Sequence, residues 1–126
     1  MTQPLFEITK AATFDAAHHF PNGPAGSPYT RLHGHSFRVE ATVRGAADGP
    51  MGWVADLGEL EAVLKAVAGE LDHGLLNDKP GLETPSLEHI CLYFAGKLRG
   101  RFPGLCRVVV SRPTISESCS LAIEPS

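Results

Sequence analysis

From Leu5 to Ala17 the apolar and polar positions alternate, with Phe6, Ile8 and Lys10 set against Glu7 and Thr9. That period of two predicts a first strand. Phe20 to Tyr29 then carries three prolines and two glycines with Asn22 and Ser27, a turn-forming composition that predicts a long exposed loop. From His35 the alternation returns: His35, Phe37, Val39, Ala41 and Val43 fall on one face, and Ser36, Arg38, Glu40, Thr42 and Arg44 on the other, which predicts a half-buried second strand. After a turn-rich stretch from Gly45 to Gly52 the period changes. Asp56 stands three residues before Glu59 as a capping box, and Leu57, Leu60, Leu64, Val67 and Leu71 recur at helical spacing, predicting a helix over 57–71. Thr84 and Pro85 read as N-cap and first residue of a second helix with Leu87, Ile90, Cys91, Phe94 and Leu98 buried. Leu105 to Val110 and Ser118 to Ile123 close the chain as two strands around a loop containing Pro113. The order is ββααββ, an α+β arrangement with no internal repeat.

A chain of 126 residues with 43% hydrophobic and 20% charged residues suits a single globular domain over 1–126. A formal net charge of −3 without any basic run argues against nucleic acid as a partner. Glu59, Glu61, Lys65 and Glu70 interrupt the longest apolar candidate, so no membrane span is expected. The first fifteen residues carry no basic stretch followed by an apolar core, which makes a cytoplasmic location the expectation. Cys91, Cys106 and Cys119 are odd in number and contain no CxxC pair, so neither a disulfide scaffold nor a cysteine metal site is expected. Two helices cover only one face of a four-stranded sheet and leave both edges unpaired, which predicts a homo-oligomer.

Candidate chemistry lies in the histidines. His18 and His19 end the first strand, and His33 and His35 open the second, separated by Gly34. Residues two apart on a strand project from one face, and strand pairing would bring His18 opposite them. Three imidazoles with one position left open are the ligand set of catalytic zinc, although iron or nickel fits the same donors. Taken alone, the His33–His35 pair reads more readily as two solvated or hydrogen-bonded histidines than as ligands; the third histidine tips the balance toward metal. Small neighbours and the shared face of Phe14 and Ala16 favour His18 over His19. Asp72 beside His73 is either a proton-transfer pair or a helix C-terminus with an incidental histidine. His89 reads as solvated, and Trp53 as core or subunit contact.

These pieces resemble the 6-pyruvoyltetrahydropterin synthases and the bacterial 6-carboxytetrahydropterin synthases of queuosine (7-deazaguanine) biosynthesis. The matching segments are FDAAH at Phe14 to His18, RLHGHSF at Arg31 to Phe37, GWVADLGEL at Gly52 to Leu60, LDHGLLND at Leu71 to Asp78, PGLETPSLE at Pro80 to Glu88, and Pro113-Thr114. The resemblance implies the tunnelling fold, a four-stranded antiparallel sheet with two helices on one face. It implies an oligomeric barrel, a hexamer or another closed assembly, with active sites between subunits. It also implies zinc on His18, His33 and His35, a proton relay of Asp72 and His73, and a small-molecule pterin substrate, 7,8-dihydroneopterin triphosphate.

Two positions depart from the family pattern. Tyr29 stands where members carry the cysteine that acts as base, and a phenol with a pKa of about 10 is mostly protonated at neutral pH. Ser111, followed by Arg112, stands where a carboxylate normally holds the pterin ring, and Glu117 is the nearest replacement. Cys119 is a remote alternative as a thiol for the site. Tyr29 as a catalytic group and Ser111 and Glu117 as substrate-binding groups are therefore expectations of an altered site. The function expected is a zinc-dependent lyase or synthase acting on a dihydropterin, with retro-aldol cleavage as the altered chemistry. The alternatives are a noncatalytic zinc-containing protein that binds a pterin or purine, and an oligomer in which zinc is purely structural.

Overall fold

The computed structural model describes residues 3–124. Four strands form one antiparallel sheet: β1 (Phe6–His18), β2 (His33–Gly45), β3 (Leu105–Arg112) and β4 (Glu117–Ala122), in the order β1-β2-β3-β4. Helices α1 (Leu57–Leu71) and α2 (Leu87–Leu98) pack on the same face, α1 chiefly against β1 and α2 against β3 and β4. This is the predicted ββααββ order. Alternation sets the inner face: Ala12, Phe14, Ala16, Phe37, Val39, Ala41, Val43, Val108 and Val110 are all buried. They meet Leu60, Leu64, Leu71, Ile90, Phe94 and Leu98 from the helices, and Phe14 stacks on Phe37 with ring centroids 5.0 Å apart.

Capping fixes the helices with one departure from expectation. Asp56 caps α1 by accepting from the amides of Gly58 and Glu59, as the capping box requires. The cap of α2 is Ser86 rather than Thr84: its Oγ accepts from the His89 amide at 3.1 Å, so α2 begins at Leu87 and Pro85 lies outside it. The Thr84 carbonyl instead takes the Ser86 amide and the His89 ring. Leu57 is 43% exposed and leaves the predicted buried stripe, and Trp53, at 46% exposed, is not a core residue of the chain.

The strands run longer at their chemically important ends. β2 starts at His33, so the histidine pair opens it as expected, and its ladder with β1 continues to the pair His18↔His33. β3 continues to Arg112 and β4 begins at Glu117, leaving a tight turn over Pro113–Ile115 with Ser116 in the left-handed region at φ 58°. At the opposite end, the Gly104 carbonyl accepts from the Arg44 amide, and a Cβ there would sit 2.5 Å from the Arg44 carbonyl oxygen. Glycine is required for that close approach, beside the bulge at Thr42/Val43. Strands β1 and β4 are the sheet's edges within the chain, and among the described residues no helix is long and apolar enough to cross a membrane.

Candidate metal centre and its cavity

The ladder between β1 and β2 builds the histidine cluster. His18 pairs with His33 and Ala16 with His35, on the continuation of the inner face that carries Phe14 and Phe37. The ring centroids are 4.6 Å apart for His18 and His33, 5.0 Å for His18 and His35, and 4.8 Å for His33 and His35. One ligand nitrogen from each lies within 4.8 Å of the others. His18 Nδ1 lies 3.1 Å from the Pro85 carbonyl and His33 Nδ1 lies 2.7 Å from the Arg31 carbonyl. A carbonyl can only accept, so both Nδ1 atoms carry the proton and both Nε2 atoms present lone pairs.

His18 Nε2 is buried without a hydrogen-bond partner among the described residues. An orphaned buried acceptor costs about 1–3 kcal/mol, and a metal ion among the three rings removes that cost. Burial pushes the His18 pKa down to about 4, with the neighbouring His33, His35 and Arg112 charges acting in the same direction. Burial also lowers the pKa of His35, followed by the Arg112 charge. Both rings are therefore neutral at neutral pH, the ligating form. The three residues fit a transition-metal ion held by imidazole nitrogens. His19 is not part of the cluster; its backbone is clamped by Asn77, whose Oδ1 accepts from His19 N at 3.1 Å and whose Nδ2 donates to His19 O at 2.8 Å. Asn77, a residue the motif analysis did not single out, thus pins the end of β1.

Asp72 and His73 dock against the outer edge of β1. The His73 amide donates to the Asp15 carbonyl at 2.7 Å, and Asp72 Oδ1 accepts from the Asp15 amide at 2.9 Å. Asp72 Oδ2 receives His73 Nδ1 at 2.8 Å, which leaves Nε2 for a ligand. His73 adopts a left-handed backbone at φ 59°, and its side chain is 80% exposed. The Asp72 carboxylate, then its charge, hold the His73 pKa above its ordinary value; the Asp15 amide, then His73, hold Asp72 below its own. His73, His33 and His35 all line one open cavity of about 940 Å³, together with Gly34, Thr114 and Ile115.

A second cavity of about 370 Å³ lies on the other side of His33 and His35, lined also by Tyr29, Arg31, Arg112 and Glu117. Tyr29 is 59% exposed, on the short turn Pro28–Thr30 capped by Ser27, and its ring meets Phe20 edge-on at 6.2 Å. Glu117 does reach this cavity, where its Oε1 pairs with Arg112 Nη2 at 2.9 Å. Ser111 lies outside both cavities: alternation along β3 turns it to the outer face, where its Oγ reaches the Arg38 carbonyl at 3.5 Å. The inward residue at this strand end is Arg112, in line with Val108 and Val110, and a strand stopped at Val110 hides it. Neither cavity is lined by a thiol. Cys119 packs against the core, and Cys91 is buried beside the Val108 and Cys119 carbonyls with its thiol pushed up to about 12 by burial.

Comparison with known proteins agrees with this architecture. The chain is 38% identical over 112 residues to a 6-carboxy-5,6,7,8-tetrahydropterin synthase of Synechocystis sp., covering 84% of this chain and 85% of that protein. It is 36% identical over 97 residues to a dihydroneopterin monophosphate aldolase of Pyrococcus furiosus, covering 77% and 78%. The fold superimposes on the structure of Caenorhabditis elegans 6-pyruvoyl tetrahydropterin synthase with a TM-score of 0.83 at 22% identity, over 98% of this chain and 99% of that one. The family model described as 6-pyruvoyl tetrahydropterin synthase matches residues 7–124, and the chain belongs to that family.

Proposed function

We propose that this protein is a zinc-dependent lyase that cleaves the side chain of 7,8-dihydroneopterin, as a phosphate ester or a related dihydropterin, by a retro-aldol reaction. The observation that carries the reading is one open cavity lined by His33, His35 and the His73 ring that Asp72 holds, next to a second cavity at His33 and His35 lined by Tyr29 and by no thiol. Relatives named for pterin synthesis and for dihydroneopterin monophosphate cleavage support the substrate class.

His18, His33 and His35 would hold the zinc ion, which supplies Lewis acidity toward the side-chain hydroxyls. Asp72 fixes the His73 ring so that Nε2 faces the ligand. In the retro-aldol step His73 Nε2 takes the proton of the C2′ hydroxyl. The C1′–C2′ bond breaks, its electron pair passes into the C6=N5 imine of the ring, and C2′ departs as an aldehyde. A proton then returns to C1′. The base removes a proton from oxygen rather than from carbon, so no thiolate is needed, and Tyr29 serves as a hydrogen-bond donor. Glu117 holds Arg112 in the second cavity. The β4 edge and the part of the β1 edge before Asp15, which no other strand of the chain covers, support a closed assembly of several copies, and sedimentation at micromolar concentration should give a species several times the monomer mass.

The test is incubation of the zinc-loaded protein with 7,8-dihydroneopterin and its mono- and triphosphates, with products identified by mass. A 6-hydroxymethyl-7,8-dihydropterin and a two-carbon aldehyde are expected. Ligand binding without any product overturns the lyase reading in favour of a binding protein.

A further inference from the structure

Arg112 is a charge held largely out of water that packing does not explain. It follows Val108 and Val110 on the inner face of β3, and its side chain is only 15% exposed. An apolar residue would continue that row. Its one carboxylate partner, Glu117, is itself about half exposed, and Arg112 Nε is buried without a hydrogen-bond partner among the described residues. A guanidinium so far out of water needs acceptors around it, and an incompletely compensated one is tolerated chiefly where a ligand completes it.

The cavity indicates the ligand's chemistry. Around it stand two guanidinium groups, Arg31 and Arg112, the Tyr29 phenol and a single carboxylate, beside His33 and His35. Glu117 already offers a planar monoanion to one arm of Arg112. A tetrahedral dianion brings more charge and more acceptor oxygens than a second planar carboxylate, and suits donors from both arginines and the phenol together. Arg112 also lines an adjoining cavity of about 330 Å³ with Tyr29, Phe20 and Thr84, so a group on Arg112 has room to extend away from the histidines.

We propose that Arg112 is a specificity-determining residue that holds a phosphate on the substrate's side chain, with Arg31 and Tyr29 as further donors. The proposal rests on the dihydropterin reading above. Its test compares binding of 7,8-dihydroneopterin and its monophosphate to the zinc-loaded protein by ligand fluorescence, in the native chain, Arg112→Gln and Arg112→Lys. In parallel, inorganic phosphate and acetate at equal ionic strength are tested as thermal stabilisers. The native chain should prefer the phosphate ester by about tenfold or more, the scale of a charge-assisted hydrogen bond. That preference should fall toward one in Arg112→Gln and by several-fold in Arg112→Lys, with affinity for the unphosphorylated ligand and zinc content unchanged. Phosphate, but not acetate, should raise the melting temperature of the native chain more than that of either variant. An unchanged preference in both variants overturns the proposal. If neither pterin binds, the dihydropterin reading fails; the phosphate response then decides, an Arg112-dependent shift supporting the anion site and an equal shift in all three chains overturning it. Should Arg112→Gln not fold, the Lys variant carries the comparison.

Discussion

The two sides of the histidine cluster are built differently. On one side, His18, His33, His35, Asp72 and His73 are positioned by backbone: a strand ladder in continuous register and the amide and carbonyl of Asp15. On the other side, Tyr29, Arg112 and Glu117 stand on a short turn and at two strand ends, joined by one ion pair. The first side carries the residues proposed to hold a metal and move a proton. The second carries Tyr29, Arg112 and Glu117, where the sequence departs from the pattern that the resemblance implies. On that reading a frame holding a metal and moving a proton stays fixed while the groups that choose the substrate and the bond to break are exchanged at its rim.

The largest expected effect breaks the fixed side. His33→Ala combined with His35→Ala should take bound zinc from about one per chain to near zero, measured by elemental analysis, whereas His19→Ala should leave it in place. Zinc retained in the double variant would dissolve the contrast altogether.

Next in size is the relay. His73→Ala should lower turnover about 10²–10⁴-fold at full zinc occupancy, the range for loss of a general acid–base group. Its pH dependence sharpens the assignment. The Asp72 carboxylate raises the His73 pKa, so the neutral ring that accepts a proton appears only as pH rises through that raised value, and activity should climb there. Asp72→Asn removes the cause, and the acid limb should move to lower pH. A limb that stays put excludes His73 as the titrating base. In stability the sign is opposite: the contribution of the pair is present below the ordinary histidine pKa and is lost as pH rises through the raised one.

The smallest effects fall on the variable side. Tyr29→Phe should reduce turnover about fivefold, the scale of one hydrogen bond. The native chain should make little 6-carboxytetrahydropterin from 7,8-dihydroneopterin triphosphate. Tyr29→Cys should gain that activity, since a thiol ionises near neutral pH far more readily than a phenol. If the native chain forms either family product as fast as cysteine-bearing relatives, a group other than residue 29 is the base.

The same division governs what could be read from residues alone. The extent of α1 follows from the Leu60, Leu64, Val67 and Leu71 spacing and the Asp56 cap, and the meeting of His18 with His33 and His35 follows from two strands of matching alternation. These are periodic signals. The α2 cap was misplaced because Thr84, Pro85 and Ser86 offer competing starts, and only the Ser86 Oγ contact with the His89 amide decides among them. At the end of β3, one more residue of strand turns Arg112 inward and Ser111 outward, which the alternation up to Val110 does not decide. Asn77 acts through contacts with His19 at the end of β1, distant in sequence, that no local pattern encodes.

In the proposed reaction this site breaks the C1′–C2′ bond of a dihydropterin side chain with Tyr29 in place. A turnover experiment in deuterium oxide tests it most directly, because the cleaved C1′ must take its new hydrogen from solvent. The account predicts a hydroxymethyl dihydropterin with one deuterium on its methylene and an equal amount of two-carbon aldehyde. A product that keeps all three side-chain carbons, or a 6-carboxy product formed by the native chain, would contradict it.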